Sequence, residues 1–121
     1  MTMKRKILVV ENDFDIRHII AHLLTEEGYE PILCNSETGI FDFIMNKQPD
    51  IILLDIFKIT EQGTELCRAL KASGNTQHIP VIVLSTHPEI TRVKEGCADQ
   101  ILKKPFDIDN LLELLKGQLA A

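Results

Sequence analysis

The stretch that decides the fold is Ile-Ile-Leu-Leu-Asp at residues 51–55, a short apolar run that ends on an acid. Four consecutive aliphatic residues, two of them β-branched, are typical of a strand buried on both faces of a parallel sheet. A carboxylate at the end of so apolar a strand is costly without a polar partner, so Asp55 is a candidate functional residue. The rest of the chain must therefore cover both faces of a sheet and supply partners for Asp55.

Similar apolar runs recur on both sides of this stretch, with helical patterns between them. The predicted strands are Ile7–Val10, Pro31–Cys34, Ile51–Leu54, Val81–Leu84 and Gln100–Lys103. The proline predicts that the second of these lies near a sheet edge. The predicted helices are one around Ile16–Leu24 that Gly28 ends, one from about Ser36, one after Gly63 that ends near Gly74, a short one over Glu89–Glu95, and one capped by Asp107. This alternation indicates an α/β fold with a parallel sheet, helices on both faces and right-handed crossovers.

Composition narrows the function classes. The 121 residues, 45% of them hydrophobic, fit one domain over residues 1–121. A net charge of −5 argues against a direct nucleic-acid partner, and no apolar run approaches the roughly 20 residues of a membrane span. Cys34, Cys67 and Cys97 form no CxxC motif, which argues against zinc. We interpret them as reduced thiols of a cytoplasmic protein.

Polar residues follow four of the predicted strands, where ligands bind in parallel sheets. They are Glu11-Asn12-Asp13, Asp55, Ser85-Thr86 and Lys103-Lys104-Pro105. Carboxylates hold Mg²⁺ through oxygen, a lysine adds a point charge, and a serine hydroxyl can donate a hydrogen bond. This set suits the transfer of a phosphoryl group to the carboxylate of Asp55.

Each of these residues also has a structural interpretation. Asp13 can simply cap the first helix, Lys104 can be a solvated lysine, and Ser85 can satisfy local backbone groups. His18 and His22 have a metal-like spacing, but they are expected to face solvent and no third ligand is evident. The arrangement across four strand ends is what favours a functional site.

The motifs KILVVEND, IILLDI, Gly63, VIVLST and KKPF followed by a helix resemble, in order and spacing, the receiver domain of bacterial two-component response regulators over the whole chain. The resemblance implies a flavodoxin-like, doubly wound five-stranded parallel sheet of order 2-1-3-4-5. It implies a phosphoryl donor that is a sensor histidine kinase or a phosphotransfer protein, and a downstream effector protein. It also implies a signalling protein that assists only its own phosphotransfer and dephosphorylation, and that is otherwise not an enzyme.

The resemblance assigns a role to each matching position. The catalytic positions are Asp55 as the phosphoacceptor, Ser85 as the switch hydroxyl and Lys104 as the lysine that faces the phosphoryl group. The Mg²⁺ positions are Glu11, Asn12, Asp55 and the backbone carbonyl of Phe57. Pro105 takes the position of the proline that follows the lysine.

The sequence departs from the family pattern at several of its positions. Asn12 replaces the second acid of the metal pair, and Ile101 stands where an aromatic switch residue is usual. Ile59 replaces a loop proline, Thr86 replaces a small residue, and the interval from Ser85 to Lys104 is about three residues short, close to one helical turn. Two interpretations stay open: a working receiver, or a degenerate one that binds a partner without phosphorylation.

Two enzyme classes with related folds fit less well. A haloacid-dehalogenase phosphatase needs a second acid two residues after its nucleophile, where this chain has Phe57. A flavodoxin needs a Ser/Thr-rich phosphate loop after the first strand, and the acids Glu11 and Asp13 are hostile to a phosphate there.

Overall fold

The computed structural model describes residues 4–11, 13–34, 40–55, 61–85, 98–104 and 106–120, with the backbone alone for Asp55 and for residues 61–66. The elements in chain order are β1 (Lys6–Val10), α1 (Phe14–Glu26), β2 (Glu30–Cys34), α2 (Ile40–Lys47), β3 (Ile51–Asp55), α3 (Glu61–Ala72), β4 (Val81–Ser85), β5 (Gln100–Lys103) and α4 (Ile108–Leu119).

The five strands form one parallel sheet in the order β2-β1-β3-β4-β5. This confirms the predicted fold class and strand order. It also confirms that β2, which contains Pro31, is an edge strand.

Both faces of the sheet are buried, which explains the continuous apolar runs. Successive side chains of a strand point to opposite faces. In a strand that is covered on both faces, every side chain is therefore buried and apolar residues are favoured at every position. One core packs against α1 and α4 and comprises Ile7, Val9, Ile20, Leu24, Ile51, Leu53, Ile82, Leu84, Leu111 and Leu115. The other packs against α2 and α3 and includes Leu8, Val10, Ile40, Ile44, Ile52, Leu54, Cys67, Leu70, Val81 and Val83.

The ends of two helices follow the predicted signals. The side chain of Asp13 accepts a hydrogen bond from the Ile16 amide at 3.0 Å and caps α1. Gly28 follows α1 with φ of +89°, a conformation that costs glycine little. Asp107 caps α4 by accepting from the Asp109 amide at 3.0 Å.

Polar contacts join neighbouring strands at their amino ends, opposite the carboxyl edge of the sheet. Asp50 Oδ2 accepts from the Lys6 amide at 2.7 Å, which joins the starts of β3 and β1. Asp99 Oδ2 accepts from the Val81 amide at 2.7 Å and lies 2.6 Å from Lys71 Nζ. These two carboxylates therefore join the start of β3 to β1 and the start of β5 to β4.

Some expectations are wrong in detail. The third helix begins at Glu61, two residues before the predicted boundary at Gly63. Cys67 is disulfide-bonded, so the interpretation of reduced thiols is wrong there, although Cys34 is a thiol. The start of the second helix, the short helix over 89–95 and Cys97 lie outside the described residues.

The lengths and hydrophobicity of the helices show whether any of them could span a membrane. None of the helices that the structure describes is long and apolar enough to cross a membrane.

Candidate functional site

The carboxyl ends of four strands meet at one edge of the sheet. Val10 pairs with Leu54 in the register of β1 and β3, Asp55 pairs with Leu84, and Ser85 pairs with Lys103. The structure therefore brings Glu11, Asp55, Ser85 and Lys104 to the same edge. For Asp55 this statement rests on its backbone position, and Asn12, Phe57 and Pro105 lie outside the described residues.

Glu11 is a buried acid at the end of β1, with only 3% of its surface exposed. Its Oε1 accepts from the Asp13 amide at 3.1 Å, and its Oε2 lies 3.3 Å from Lys104 Nζ. Its own amide donates to the Cys34 carbonyl at 3.0 Å, which continues the pairing of β1 with β2. A carboxylate tolerates this burial because both of its oxygens have partners.

Lys104 supplies the cationic partner from the other side of the site. Its amide donates to the Ser85 carbonyl at 2.8 Å, which fixes its backbone to the end of β4. Two strands lie between β5 and β1, so about 14 Å of sheet separates Lys104 from Glu11. The Glu11–Lys104 ion pair therefore spans the carboxyl ends of β3 and β4, where Asp55 and Ser85 lie.

Ser85 is the last residue of β4 and is completely buried. A buried hydroxyl at the end of a central strand is a fixed hydrogen-bond donor or acceptor. Because β4 lies between β3 and β5, Ser85 follows an interior strand of the sheet and neighbours the strand that ends at Asp55.

The donor chemistry fits a hard divalent cation in part. Glu11 offers carboxylate oxygens, the ligand type that Mg²⁺ prefers, from a buried position. Among the residues described, no group of three His, Cys, Asp or Glu side chains converges on one point. Glu11 can thus contribute one ligand to a site that also needs Asp55 and Asn12.

A family model described as the response regulator receiver domain matches residues 7–116. The chain belongs to this family. Response regulator MprA of Mycobacterium sp. strain KMS is 31% identical over 97% of this chain and 51% of its own length.

Solved structures agree with the family. The receiver domain of a signal transduction histidine kinase from Syntrophus aciditrophicus is 29% identical, with a TM-score of 0.84 over 96% of this receiver and 90% of that chain. Response regulator TrrA of Thermotoga maritima, in complex with Mg(2+)-BeF, is 25% identical, with a TM-score of 0.81 over 95% of this receiver and 99% of that chain. The chain spans about half the length of the curated relatives it matches.

Arg17 is a residue of the site that the sequence reasoning missed. Its Nη1 donates to the Glu11 carbonyl at 2.8 Å, and its guanidinium lies 5.6 Å from the ring centroid of Phe14. The Arg17 amide donates to the Asp13 carbonyl, so the residue sits one turn into α1 and turns back towards the end of β1. A basic residue one turn after a helix cap was the signal that could have identified it.

The remaining candidates keep their structural interpretations. Asp13 is the α1 cap, and His18 and His22 are exposed, as expected. His22 Nε2 lies 3.1 Å from Glu26 Oε1 on the same helix. Ile101 is partly buried and packs against the core beneath α2 and α3, so an aliphatic side chain occupies the usual position of the switch ring.

One surface next to the site is unexpectedly apolar. Phe14, Ile16 and Ile19, which we call the α1 patch, are 63%, 39% and 59% exposed. Ile16 and Ile19 are three residues apart and lie on neighbouring positions of α1, whereas Phe14 lies on another face of the same helix. Exposed large hydrophobic side chains are a common feature of protein interaction sites. The α1 patch begins three residues after Glu11, within reach of any partner that approaches the carboxyl edge.

Proposed function

We propose that this receiver accepts a phosphoryl group on Asp55, with Mg²⁺, from the phosphohistidine of a kinase or phosphotransfer protein. The observation that carries the proposal is the Glu11–Lys104 ion pair, which spans the end of the strand that terminates in Asp55. An acid and an ammonium at strand ends on either side of a second acid form a charge arrangement suited to a phosphoryl group.

In the proposed reaction a carboxylate oxygen of Asp55 attacks phosphorus while the phosphorus–nitrogen bond of the phosphohistidine breaks. The imidazole leaves with the electron pair of that bond and takes up a proton. Lys104 neutralises charge on the phosphoryl oxygens, and the Ser85 hydroxyl donates to one of them. Glu11 and Asn12 would hold Mg²⁺, which when bound neutralises charge on the transferred group.

The proposal includes the setting in which this receiver works. The α1 patch is the surface we propose for the phosphoryl donor, because Phe14 and Ile19 expose apolar area beside the site. A downstream effector protein reads the phosphorylated state. The receiver works in the bacterial cytoplasm and does no chemistry beyond its own phosphotransfer and dephosphorylation.

The test is incubation with Mg²⁺ and acetyl phosphate, followed by intact mass. The native chain and Asp42→Asn, which removes an exposed acid on α2, should each gain the mass of one phosphoryl group. Asp55→Asn should gain none, because its amide is not a nucleophile for phosphorus. Equal modification of Asp55→Asn would show that the phosphoacceptor is another residue.

A degenerate receiver is the second candidate function, and Asn12 favours it. An amide in place of an acid removes one negative charge from the metal site. If the native chain gains no mass even at saturating Mg²⁺, and a partner protein binds it and Asp55→Asn equally well, the degenerate interpretation is the correct one.

A further inference from the structure

We infer that Cys67 and Cys97 form a redox-sensitive clamp, which is a reversible disulfide that ties α3 to the chain entering β5. When the clamp is oxidised, a covalent bond holds the start of β5 against α3. When it is reduced, only non-covalent contacts do so. The inference goes beyond the proposed function, and it does not depend on a phosphoryl group on Asp55.

The pairing of the two cysteines follows from the composition of the chain. Cys67 is disulfide-bonded, and its side chain is completely buried. The chain has three cysteines, of which Cys34 is a thiol. Cys97 lies outside the described residues, but it is the remaining cysteine that one chain can offer to Cys67.

Contacts beside Cys67 join the two segments that the clamp ties. Lys71 lies one turn after Cys67 on α3, so the two side chains share a face of the helix. The Nζ of Lys71 is 2.6 Å from Asp99 Oδ2, and Asp99 is two residues after Cys97. Ala98 is buried in the same core as Cys67. The described residues thus place α3 beside the chain that enters β5, so a disulfide between these segments needs no rearrangement of the fold.

β5 is an edge strand, so it gains more from such a bond than an interior strand does. Its backbone pairs with β4 on one side only. It packs through Ile101 against the core that contains Cys67, and it leads to Lys104, whose amide donates to the Ser85 carbonyl. Cys97 is three residues before the start of β5. The redox state of one cysteine pair therefore controls how firmly the strand that presents Lys104 is held.

Formation of the clamp is a two-electron oxidation, for which a small disulfide such as oxidised glutathione is the oxidant. One cysteine thiolate attacks glutathione disulfide, whose S–S bond breaks, and one glutathione leaves as a thiolate. The second cysteine thiolate attacks the mixed disulfide and releases the second glutathione. The two cysteine protons pass to the two released glutathione thiolates. Disulfides of cytosolic proteins are usually transient or redox-sensing, so the clamp agrees with the cytoplasmic setting proposed for this receiver.

The experiment equilibrates the full chain with glutathione buffers that range from fully reduced to fully oxidised, in the absence of oxygen. Incubation continues until the result is constant, because the buried sulfur of Cys67 exchanges slowly. The chain is then quenched with acid, alkylated under denaturing conditions and weighed as the intact protein. Alkyl and glutathione groups are both counted, since each marks a cysteine outside the clamp. Cys97→Ser removes the clamp, and Cys34→Ser is the matched control that leaves it intact.

The native chain should have three marked cysteines in the reduced buffer and one in the oxidised buffer. Cys34→Ser should lose two marked cysteines on oxidation, whereas Cys97→Ser should keep two in both buffers. The bond closes a loop of about 30 residues, so oxidation should raise the Tm of the native chain by about 10 °C and leave that of Cys97→Ser unchanged. Oxidation should also slow amide exchange in β5 but not in β2, the other edge strand.

Three marked cysteines in the native chain in every buffer overturn the inference, because no disulfide then forms. One marked cysteine in every buffer also overturns it, since the bond is then permanent rather than redox-sensitive. Loss of two marked cysteines from Cys97→Ser on oxidation would show that Cys67 pairs with Cys34 instead. Equal amide exchange of β5 in the two states would contradict the hold on that strand. Cys97→Ala serves as the second variant if the serine variant does not fold.

Discussion

Asp13 allows the clearest separation of a structural role from a metal-binding role. Its side chain accepts from the Ile16 amide at 3.0 Å and caps α1, while its own amide donates to Glu11 Oε1. Substitution by alanine removes the side-chain cap but leaves the backbone contact with Glu11 in place. Substitution by serine removes the carboxylate but keeps an oxygen that can cap the helix.

The expected sizes follow from the cap and from the length of the chain. Loss of an N-cap costs about 1 kcal/mol, and serine is about as good a cap as aspartate. With 121 residues at about 2.1 cal/mol/K each, the unfolding entropy is about 250 cal/mol/K. Asp13→Ala should therefore lower Tm by about 4 °C, and Asp13→Ser by about 1 °C or less.

Scanning calorimetry with and without Mg²⁺ measures both effects. If Asp13 is only a cap, the serine variant should bind Mg²⁺ as tightly as the native chain. Mg²⁺ should then raise Tm equally in both, because the stabilisation by a ligand depends on its concentration and its affinity. A serine variant as unstable as the alanine variant would refute the assignment of the cap. A serine variant that loses its stabilisation by Mg²⁺ would show that Asp13 is a ligand.

Three further substitutions test the α1 patch, the core and the contacts at the amino ends of the strands. Ile19→Ser should leave Tm within about 1 °C, since Ile19 is mostly exposed. It should slow transfer from a kinase but not from acetyl phosphate, and an equal loss with both donors would argue against the α1 patch. Leu53→Ala should cost about 2–5 kcal/mol in urea unfolding, because Leu53 is 1% exposed. A loss below about 1 kcal/mol would contradict the close packing of Leu53 in the core. Asp99→Asn should cost less than about 1 kcal/mol, because the partly exposed ion pair with Lys71 is lost but an oxygen remains for the Val81 amide. Asp99→Ala should cost more, because it also removes the acceptor of the Val81 amide. Equal costs for the two variants would show that this hydrogen bond does not stabilise the fold.

The sheet could be predicted from sequence because its signal is local and strong. Strands buried on both faces read as unbroken aliphatic runs, so β3 and β4 were placed to within one residue at each end. The order of the strands came from the resemblance to receivers, since periodicity does not say which strands are neighbours. The caps of α1 and α4 were predictable because each has an aspartate immediately before its first turn.

Other features were not predictable, for physical reasons. Ile16 and Ile19 follow the helical spacing of a core face, but only Ile20 and Leu24 of α1 are fully buried. Ile16 lies in the first turn, next to the edge where the sheet ends, and apolar spacing alone does not distinguish a core stripe from an exposed patch. The contact between Glu11 and Lys104 joins residues 93 positions apart, a pairing that no local pattern reveals.

Pro31 on the edge strand has a consequence for self-association. The Glu30 amide donates inward to the Arg5 carbonyl, so the next backbone nitrogen along β2 faces away from the sheet. At that outward position proline has no hydrogen to offer. An incoming sixth strand would therefore miss one of its ladder bonds, and the charged Glu30 beside it makes the approach less favourable still. The β2 edge is protected in this way against aggregation by strand addition, and Pro31→Val would be expected to remove part of that protection.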